Sequence, residues 1–564
     1  MAHTFKINKL HLHNLRGDFF GGLTAAIVAL PLALAFGVAS WAGAASGLYG
    51  AMATGFFAAL FGGTPAQISG PTGPMTVVMA TVFTALIAKY PESGLALAFT
   101  VVILGGAFQI GFGLLRLGEY ITLMPYTVIS GFMSGIGVII FILQLAPLFG
   151  QAGSASVIES IQKLPDVLWQ PNIYALGLGL LTLIIVFGMP SRLSRILPAP
   201  LVALVVGTLV SLAMTSSTVP RIGEIPTGLP AFQWPRAEWG AIKDMLGYGI
   251  VLATLGAIDS LLTSLVADNI TRTQHDSDRE LIGQGIGNMV SGLFGGLPGA
   301  GATMRTVINV KSGGQTPLSG MIHALLLTAV LLGAGPLTAQ IPVAVLAGIL
   351  IKVGLDIIDW SFLKRAHRVS WEAAAVMYGV LFLTVFVDLI TAVAAGTFVA
   401  NLLAVKKLTD EQNRHVQAIV SPTDDTLTEE EQVSLAAVAG RVLLFRLSGP
   451  MSFGAAKTIS QRMSIVSEFE VLILDLADVP KLGVTASLAV ENMVRDACNQ
   501  QRTVFIVGAK GLVKERLTAL EVLDMLPPEN ILTSRLEAIK RANQSLKPSI
   551  YHSPTVPADH LPKR

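Results

Sequence analysis

A run of 70 residues without a formal charge, from position 19 to position 88, constrains this chain more than any other feature. One membrane crossing needs only about 20 apolar residues, so this run is long enough for several. Two further uncharged runs cover residues 120–158 and 312–351. These runs exclude a soluble globular domain, and the first is too long for the apolar region of a cleaved signal peptide. The sequence therefore predicts a multi-pass membrane protein that retains its first segment.

Charged residues are concentrated near the C-terminus. Residues 406–564 contain 19 of the 38 Lys and Arg and 19 of the 36 Asp and Glu, so only about 9% of residues 1–405 are charged. Soluble proteins average about a quarter. We expect a transmembrane domain at 1–405, an exposed linker at 406–432, a cytoplasmic domain at 433–550 and a flexible tail at 551–564.

The first 405 residues contain fourteen segments apolar enough to cross, or half cross, a bilayer. They are residues 20–40, 45–61, 73–88, 94–115, 126–149, 173–189, 199–215, 246–266, 284–296, 303–312, 317–334, 340–353, 372–387 and 389–405. Two of them, 73–88 and 303–312, are too short to span comfortably, and each follows a Gly- and Pro-rich stretch. Short, broken apolar segments at matching places are typical of a transporter site.

An internal repeat links these two places. Residues 60–65 (LFGGTP) and 293–298 (LFGGLP) share five of six residues and each precedes one of the short segments. Seven crossings per repeat is an odd number, so the second copy enters from the opposite side. We predict a helical membrane fold with a 7+7 inverted repeat, at about 17–215 and 242–405.

Loop charges predict the orientation, because cytoplasmic loops carry an excess of Lys and Arg. The basic residues fall on one side of the predicted topology: Lys6, Lys9, Arg16, Arg116, Arg192, Arg195, Arg272, Arg279, Lys364, Arg365 and Arg368. We expect the protein in the cytoplasmic membrane, with both termini in the cytoplasm.

The two short segments predict an anion site. A helix that begins inside the bilayer directs unpaired N–H groups and the positive end of its dipole at the midplane. The candidate residues are Thr72, Gly73 and Thr76 in the first repeat and Gly301, Ala302 and Thr303 in the second. The alternative is that these glycines only permit close helix packing.

Asp259 predicts a cation site, because a carboxylate at membrane depth needs a partner or a water-filled cavity. Thr263 lies one helical turn on and shares its face. Hydroxyl and carboxylate oxygens suit sodium, and the carboxylate alone can accept a proton. Arg305, the other charge at membrane depth, either completes the anion site or neutralises Asp259 as a structural partner.

The charged C-terminal region predicts an α/β domain. Apolar runs of strand length at 442–447, 471–476 and 503–507 alternate with helical patterns near 454–466, 484–500 and 510–521. Alternating elements of this size indicate a small sheet covered by helices.

Several functions have no support in the sequence. The net charge is +2 and no dense basic cluster occurs, so we expect no nucleic-acid partner. The single cysteine, Cys498, excludes an internal disulfide and a cysteine metal cluster. No nucleophile elbow or phosphate-binding loop is present, so we expect no enzymatic activity and no cofactor other than a coupling ion.

Several motifs resemble the SulP family of inorganic anion transporters. They are residues 68–75 (ISGPTGPM), 125–135 (PYTVISGFMSG) and 315–320 (QTPLSG), together with the α/β tail. The resemblance covers essentially the whole chain. It implies a core and a gate domain, a C-terminal STAS domain and a homodimer formed in part through STAS. The STAS domain in turn resembles anti-sigma-factor antagonists, in which a serine after a strand is phosphorylated; Thr485 is near that place, but the usual neighbouring Asp is absent.

The resemblance is strongest to sodium-dependent bicarbonate transporters of the family. It implies a sodium site around Asp259, Thr263, Gly301, Ala302 and Thr303, with bicarbonate near Thr72. Those relatives carry Glu where this chain has Gly70 and Gly where it has Arg305, so both differences make this site more positive. Sulfate-carrying members pair an acidic residue on the eighth segment with an Arg on the tenth.

We therefore expect sodium-coupled bicarbonate uptake by alternating access. Proton-coupled transport of sulfate, another oxyanion or a dicarboxylate is the main alternative, with Asp259 as proton acceptor and Arg305 as anion ligand. Two further alternatives are an uncoupled anion channel and a membrane-anchored signalling protein. Asp259 argues against the channel, because an uncoupled pore does not need a carboxylate there. The paired broken helices argue against the signalling protein.

Overall fold

The structure is a computed structural model that describes residues 12–546 with short gaps. The gaps are 122–123, 155, 191–192, 194–197, 215–217, 224–227, 229, 388, 422–423, 425, 439 and 466–468. The predicted tail at 551–564 and four of the basic residues used for orientation, Lys6, Lys9, Arg192 and Arg195, lie outside the described residues. The chain divides into two compact units, Met1–Ala400 and Asn401–Arg564.

Helices make up the first unit, and each of the fourteen predicted segments corresponds to one. They are Leu15–Ala39, Ala44–Phe61, Gly73–Lys89, Gly94–Leu114, Tyr126–Leu143, Ile173–Gly188, Ala199–Ala213, Ile242–Thr271, Ser277–Leu293, Thr303–Lys311, Pro317–Thr338, Val343–Ile357, Trp371–Phe386 and Leu389–Arg414. Shorter connecting helices are Leu12–Asn14, Gly118–Ile121, Leu145–Leu148, Trp360–Leu363 and Ala366–Val369. The helix Val157–Trp169 was not predicted, and it is bent by 112° from Ile173–Gly188.

Helix length separates full crossings from partial ones. Within the described residues, six helices are individually long and apolar enough to cross a membrane, or seven if the bent pair counts as one span. Thr303–Lys311 has nine residues, about 14 Å at 1.5 Å per residue, roughly half the hydrocarbon thickness. We call Gly73–Lys89 the first half-helix and Thr303–Lys311 the second half-helix.

Close helix contacts hold these elements in place. A Cβ on Gly106 would lie 2.5 Å from the carbonyl oxygen of Gly285, and one on Gly285 would lie 2.5 Å from the carbonyl oxygen of Gly106. The helices Gly94–Leu114 and Ser277–Leu293 therefore touch backbone to backbone, which only glycine permits.

The first unit contains two short strands, β1 (Ser69–Gly70) and β2 (Ala300–Gly301). The second unit contains a sheet of five strands: β3 (Val416–Ile419), β4 (Val442–Ser448), β5 (Val471–Asp478), β6 (Thr503–Val507) and β7 (Ile531–Leu532). They lie side by side in that order, with β3 antiparallel to β4 and the other pairs parallel. The helices are Glu429–Ala436, Phe453–Ile465, Val484–Asn499, Gly511–Ala519 and Arg535–Ser545, with short 3₁₀ turns at Leu523–Met525 and Pro528–Asn530. Alternate residues of β5 enter separate apolar clusters, Leu472 in one and Ile473 in the other, so both faces of the sheet are covered.

The segment predicted as a linker, residues 406–432, contains regular structure. A helix continues to Arg414, β3 pairs with β4, and the helix Glu429–Ala436 begins with a capping box on Thr428. Sequence patterns missed β3 because it has only four residues and becomes stable only by pairing with its neighbour.

An ion-pair cluster joins this sheet to the helices Glu429–Ala436 and Arg535–Ser545. Arg535 donates from Nε and Nη2 to the two carboxylate oxygens of Glu431, both at 2.8 Å, and from Nη1 to Asp475 at 3.3 Å. The hydrogen bond to Glu431 raises the pKa of Arg535. Burial alone would raise the pKa of Glu431, but hydrogen bonds from Arg535 and Thr428 outweigh it and lower that pKa.

We predict that Arg535→Leu lowers the free energy of unfolding of the second unit by roughly 3 kcal/mol, because it leaves two buried carboxylates without their cationic partner. Pulse proteolysis of the purified full chain in urea measures this loss. Since the pKa of Glu431 is lowered on folding, its contribution is present above pH 4.5 and declines as the pH falls further. The deficit of the variant should therefore shrink in acid. The exposed Arg495 is the control; Arg495→Leu should cost no more than about 0.5 kcal/mol, and equal losses would contradict the cluster's role.

Candidate functional site

Two short extended segments cross each other where the half-helices begin. Strand β1 (Ser69–Gly70) pairs antiparallel with β2 (Ala300–Gly301), with Ser69 opposite Gly301. The Ala302 N–H donates to the Ile68 carbonyl at 2.8 Å. Each strand is followed within two residues by a half-helix. The pairing therefore directs both helix N-termini, with their positive dipole ends, toward one region.

Free backbone donors at these N-termini define the anion part of the site. The first helical bonds are Thr76 N–H to Thr72 O at 2.9 Å and Thr306 N–H to Ala302 O at 2.8 Å. The N–H groups of Gly73 and Thr303 precede those bonds and have no intrahelical acceptor. Ala302, predicted as an anion ligand, already uses its N–H in the strand crossing.

The predicted anion-site hydroxyls of the first half-helix differ in availability. Thr76 donates its hydroxyl proton to the Thr72 carbonyl at 2.7 Å, so toward an anion it can offer no proton in this arrangement. The hydroxyl oxygen of Thr72 is buried and has no hydrogen-bond partner among the described residues. A buried unpaired hydroxyl is costly, which marks Thr72 as the free polar group at this end.

Asp259 lies in the middle of Ile242–Thr271, which we call the carboxylate helix. The side chain is 9% exposed, and within the described part of the chain its Oδ2 has no hydrogen-bond partner. Thr72 and Arg305 both act on it electrostatically. The Thr72 hydroxyl lies near the carboxylate but outside hydrogen-bond geometry, and no described Arg305 nitrogen is within 4.0 Å of it. A close Asp259–Arg305 ion pair is therefore not what holds the carboxylate in place.

Hydrogen bonds between hydroxyl groups and neighbouring polar atoms connect the carboxylate helix to the start of the second half-helix. Thr263 Oγ1 lies 3.0 Å from the Gly301 carbonyl oxygen and 2.8 Å from Thr303 Oγ1. Ser260 Oγ accepts the Gly301 N–H at 3.0 Å. Asp259, Thr263, Gly301 and Thr303 thus bring carboxylate, hydroxyl and carbonyl oxygens to one place. Such oxygen donors, with one carboxylate oxygen unpaired, fit a hard cation.

Arg305 lies over the first extended strand. The guanidinium is 3% exposed and its Nη2 donates to the Pro71 carbonyl at 2.6 Å. A Cβ on Gly70 would lie 2.7 Å from Arg305 Nη1, and Gly70 has a φ of +155°. The guanidinium therefore occupies the space that a side chain at position 70 would fill, so Gly70 and Arg305 form one structural unit.

Glu280 organises the loop before the first half-helix and was missed by sequence reasoning. Its Oε2 accepts the N–H groups of Gly63 and Thr64, both at 2.9 Å, and its Oε1 accepts from Gln67 at 2.7 Å and Gln284 at 2.8 Å. Four hydrogen bonds satisfy this buried carboxylate, unlike Asp259. The spacing of Glu280, Gln284 and Asn288 at every fourth residue places them on one helix face, and that signal was available.

Gln109 is a second missed residue. Its Oε1 accepts from Asn288 Nδ2 at 2.7 Å, while its Nε2 is buried and has no partner among the described residues. A Cβ on Gly256 would lie 2.4 Å from that Nε2. Since Gly256 precedes Asp259 by about one helical turn, Gln109 packs on the face of the carboxylate helix that carries Asp259.

The two ends of the site differ in access. Met304 is 64% exposed and Thr303 is also exposed, whereas Thr72, Gly73 and Thr76 are buried. In this conformation the site is therefore open beside the second half-helix and enclosed around the first.

Comparison with known proteins identifies the architecture. The sulfate permease family matches residues 15–380, and the STAS domain matches residues 435–537. This chain belongs to the sulfate permease (SulP) family. The resemblance drawn from its motifs is confirmed, and so are the helical membrane fold with a C-terminal α/β STAS domain and the assignment as a transporter rather than an enzyme.

Individual members of the SulP family and related structures refine this comparison. The chain is 54% identical to the bicarbonate transporter BicA of Picosynechococcus, over 98% of this chain and 99% of that protein. A solved structure of the transmembrane domain of a cyanobacterial BicA is 58% identical, covers 68% of this chain and 99% of that one, and has a TM-score of 0.65. SLC26A9, at 18% identity and a TM-score of 0.80 over 95% of this chain and 91% of that one, shares the fold.

We predict that Gly70→Ala lowers the apparent melting temperature of the purified SulP protein through two effects. This positive φ costs Ala roughly 1–3 kcal/mol, and the new Cβ also displaces Arg305. In an Arg305→Gly background the second effect disappears, so Gly70→Ala should cost less there. Gly228 has a φ of +148°, and an added Cβ there would meet no atom of the described residues within 4 Å, so Gly228→Ala is the control for backbone strain alone. Equal costs of Gly70→Ala in both backgrounds would refute the contact.

Proposed function

We propose that this protein takes up bicarbonate with sodium by alternating access across the cytoplasmic membrane, with both termini in the cytoplasm. The observation that carries the proposal is the unpaired Asp259 carboxylate beside two convergent half-helix N-termini. The close relative named as a bicarbonate transporter supports the choice of anion.

The anion would lie between the half-helices. The N–H groups of Gly73 and Thr303 and the Thr72 hydroxyl offer hydrogen-bond donors, and both helix dipoles favour negative charge. Bicarbonate presents two oxygens in a plane, the arrangement that a guanidinium binds bidentately. Arg305 is placed on the first turn of the second half-helix to contribute that fork.

The sodium ion, as co-substrate, would bind at Asp259 and Thr263 with oxygens of Gly301, Ala302 and Thr303. Without it, a charged Asp259 repels the anion. At an effective dielectric of 20, two unit charges roughly 6 Å apart repel by about 3 kcal/mol, which is about a hundredfold in affinity. Neutralising Asp259 removes that repulsion, so each ion favours binding of the other and their fluxes are coupled.

Movement would follow from the way the site is tied together. Thr263 links the carboxylate helix to the second half-helix and Ser260 links it to the preceding strand β2, so the cation site and half of the anion site move as one body. The homodimer implied by the family resemblance, formed in part through the STAS domain, is also part of this proposal. Mass photometry of the full chain in detergent would test it.

Proton-coupled sulfate transport is the second candidate, and the position of Arg305 favours it. A guanidinium acts electrostatically on Asp259, so a fixed positive charge already offsets part of the carboxylate's repulsion. Binding of a proton alone would then neutralise Asp259, without a sodium ion. Labelled bicarbonate and labelled sulfate uptake into proteoliposomes, with and without a sodium gradient and a pH step, separates the two candidates.

We predict that Asp259→Asn abolishes the sodium dependence of bicarbonate uptake, because the amide retains the shape but lacks the charge that binds the cation. Initial rates in proteoliposomes at matched sodium gradients measure the effect. Asp244 is on the same helix but exposed, paired with Lys89 at 2.9 Å, and Asp244→Asn should leave sodium dependence unchanged. Undiminished sodium-driven uptake by the Asp259→Asn variant would overturn the assignment of the cation site.

A further inference from the structure

A cavity of about 470 Å³ lies beyond the C-terminal end of the helix Leu15–Ala39. It is lined mainly by apolar side chains, and we call it the vestibule. The polar residues that line it are Gln144, Gln151, Ser154 and Arg221. Of its described lining residues, Arg221 is the only one with a formal charge. With the termini in the cytoplasm, as proposed above, the vestibule faces the outside.

Arg221 is held in place by uncharged groups. Its Nη1 donates to the backbone oxygen and to Oε1 of Gln340, both at 2.8 Å, and its Nη2 donates to the Ser211 carbonyl at 3.3 Å. Among the residues described, no carboxylate oxygen lies within 4.0 Å of its guanidinium. These bonds use three of the five N–H groups of the side chain. The vestibule therefore contains a fixed positive charge that no described carboxylate neutralises.

A small cavity, which we call the neck, lies between the vestibule and the first half-helix. This second cavity, of about 20 Å³, shares the lining residues Ala39, Leu143, Gln144 and Leu350 with the vestibule and extends to Thr76 of the first half-helix. Such a volume holds about one water molecule. The rest of its lining is apolar: Phe36, Val77, Ala80 and Ile140. A hydrated anion cannot pass this neck in the present conformation, so an anion entering from this side would wait in the vestibule.

We propose that the vestibule is a second anion-binding site, in which Arg221 captures a small planar oxyanion before the neck opens. The fork of the guanidinium matches two oxygens of such an anion, and a positive charge in a cleft with apolar walls concentrates anions and accelerates their arrival. The Gln144 side chain, shared by the vestibule and the neck, would receive the anion next. This inference rests on the proposed anion transport and adds a site to it.

The test changes the charge at position 221 within one folded protein. Arg221→Cys is made in a Cys498→Ser background, so that the new thiol is the sole cysteine. Bicarbonate uptake into proteoliposomes is then measured before and after modification from the outside with a trimethylammonium-ethyl or a sulfonatoethyl thiosulfonate. Arg236, exposed in the same connecting region but absent from the vestibule lining, supplies the matched Arg236→Cys control.

We expect the unmodified Arg221→Cys variant to need about tenfold more bicarbonate for half-maximal uptake at low salt, with a maximal rate near that of the parent. The cationic reagent should reverse this increase and the anionic reagent should enlarge it, and both effects should weaken at high salt. A half-saturating concentration equal to that of the parent, or equal responses to both reagents, would overturn the inference. A lower maximal rate with an unchanged half-saturating concentration would mean that Arg221 only holds Gln340 and Ser211 in place. That result would also overturn the inference. Absence of uptake by the parent itself would refute the proposed function instead.

Discussion

A chain that leaves the α-helix inside a bilayer must still satisfy its backbone polar groups, since no water is available there. The pairing of β1 with β2 meets this requirement, because each extended segment supplies hydrogen-bond partners to the other. The Ile68 N–H, which lies just outside the pairing, bonds to the Thr306 hydroxyl at 3.0 Å. Both half-helices can therefore begin at membrane depth, and every other property of the site depends on that.

Two buried carboxylates near this crossing show how hydrogen bonding separates structural from functional charge. Glu280 accepts four hydrogen bonds and fixes the loop before the first half-helix. Asp259 is also buried in the first unit, but its Oδ2 is unpaired among the described residues. A buried charge without partners is expensive, so it is retained where a ligand supplies the missing interaction. This contrast supports Asp259, and not Glu280, as the coupling residue.

The two half-helices contribute different side chains to the site. The second half-helix carries Thr303 and Arg305; the carboxylate helix contacts it through Thr263 and contacts the preceding strand β2 through Ser260. The first half-helix contributes mainly backbone donors and the Thr72 hydroxyl. Arg305, on the second half-helix, extends over Gly70 to the Pro71 carbonyl, so its side chain also contacts the segment just before the first half-helix. An anion bound between the half-helices would therefore contact both of them, whereas the cation would contact only the second.

The amino-acid pattern by itself determined the membrane helices, their short broken members and the candidate positions Asp259, Thr263 and Thr72. Exposing a long uncharged run to water is costly, and so is burying a charge at membrane depth, whatever the rest of the fold is. The pattern also revealed the alternating strands and helices of the second unit. Only the tertiary structure decided that the Ala302 N–H donates to the Ile68 carbonyl and that the Thr76 hydroxyl donates to the Thr72 carbonyl. The same holds for the contact between Gly70 and Arg305, and for β3, whose four residues are stable only beside β4. These features depend on distances between residues remote in sequence, and local periodicity carries no information about such distances.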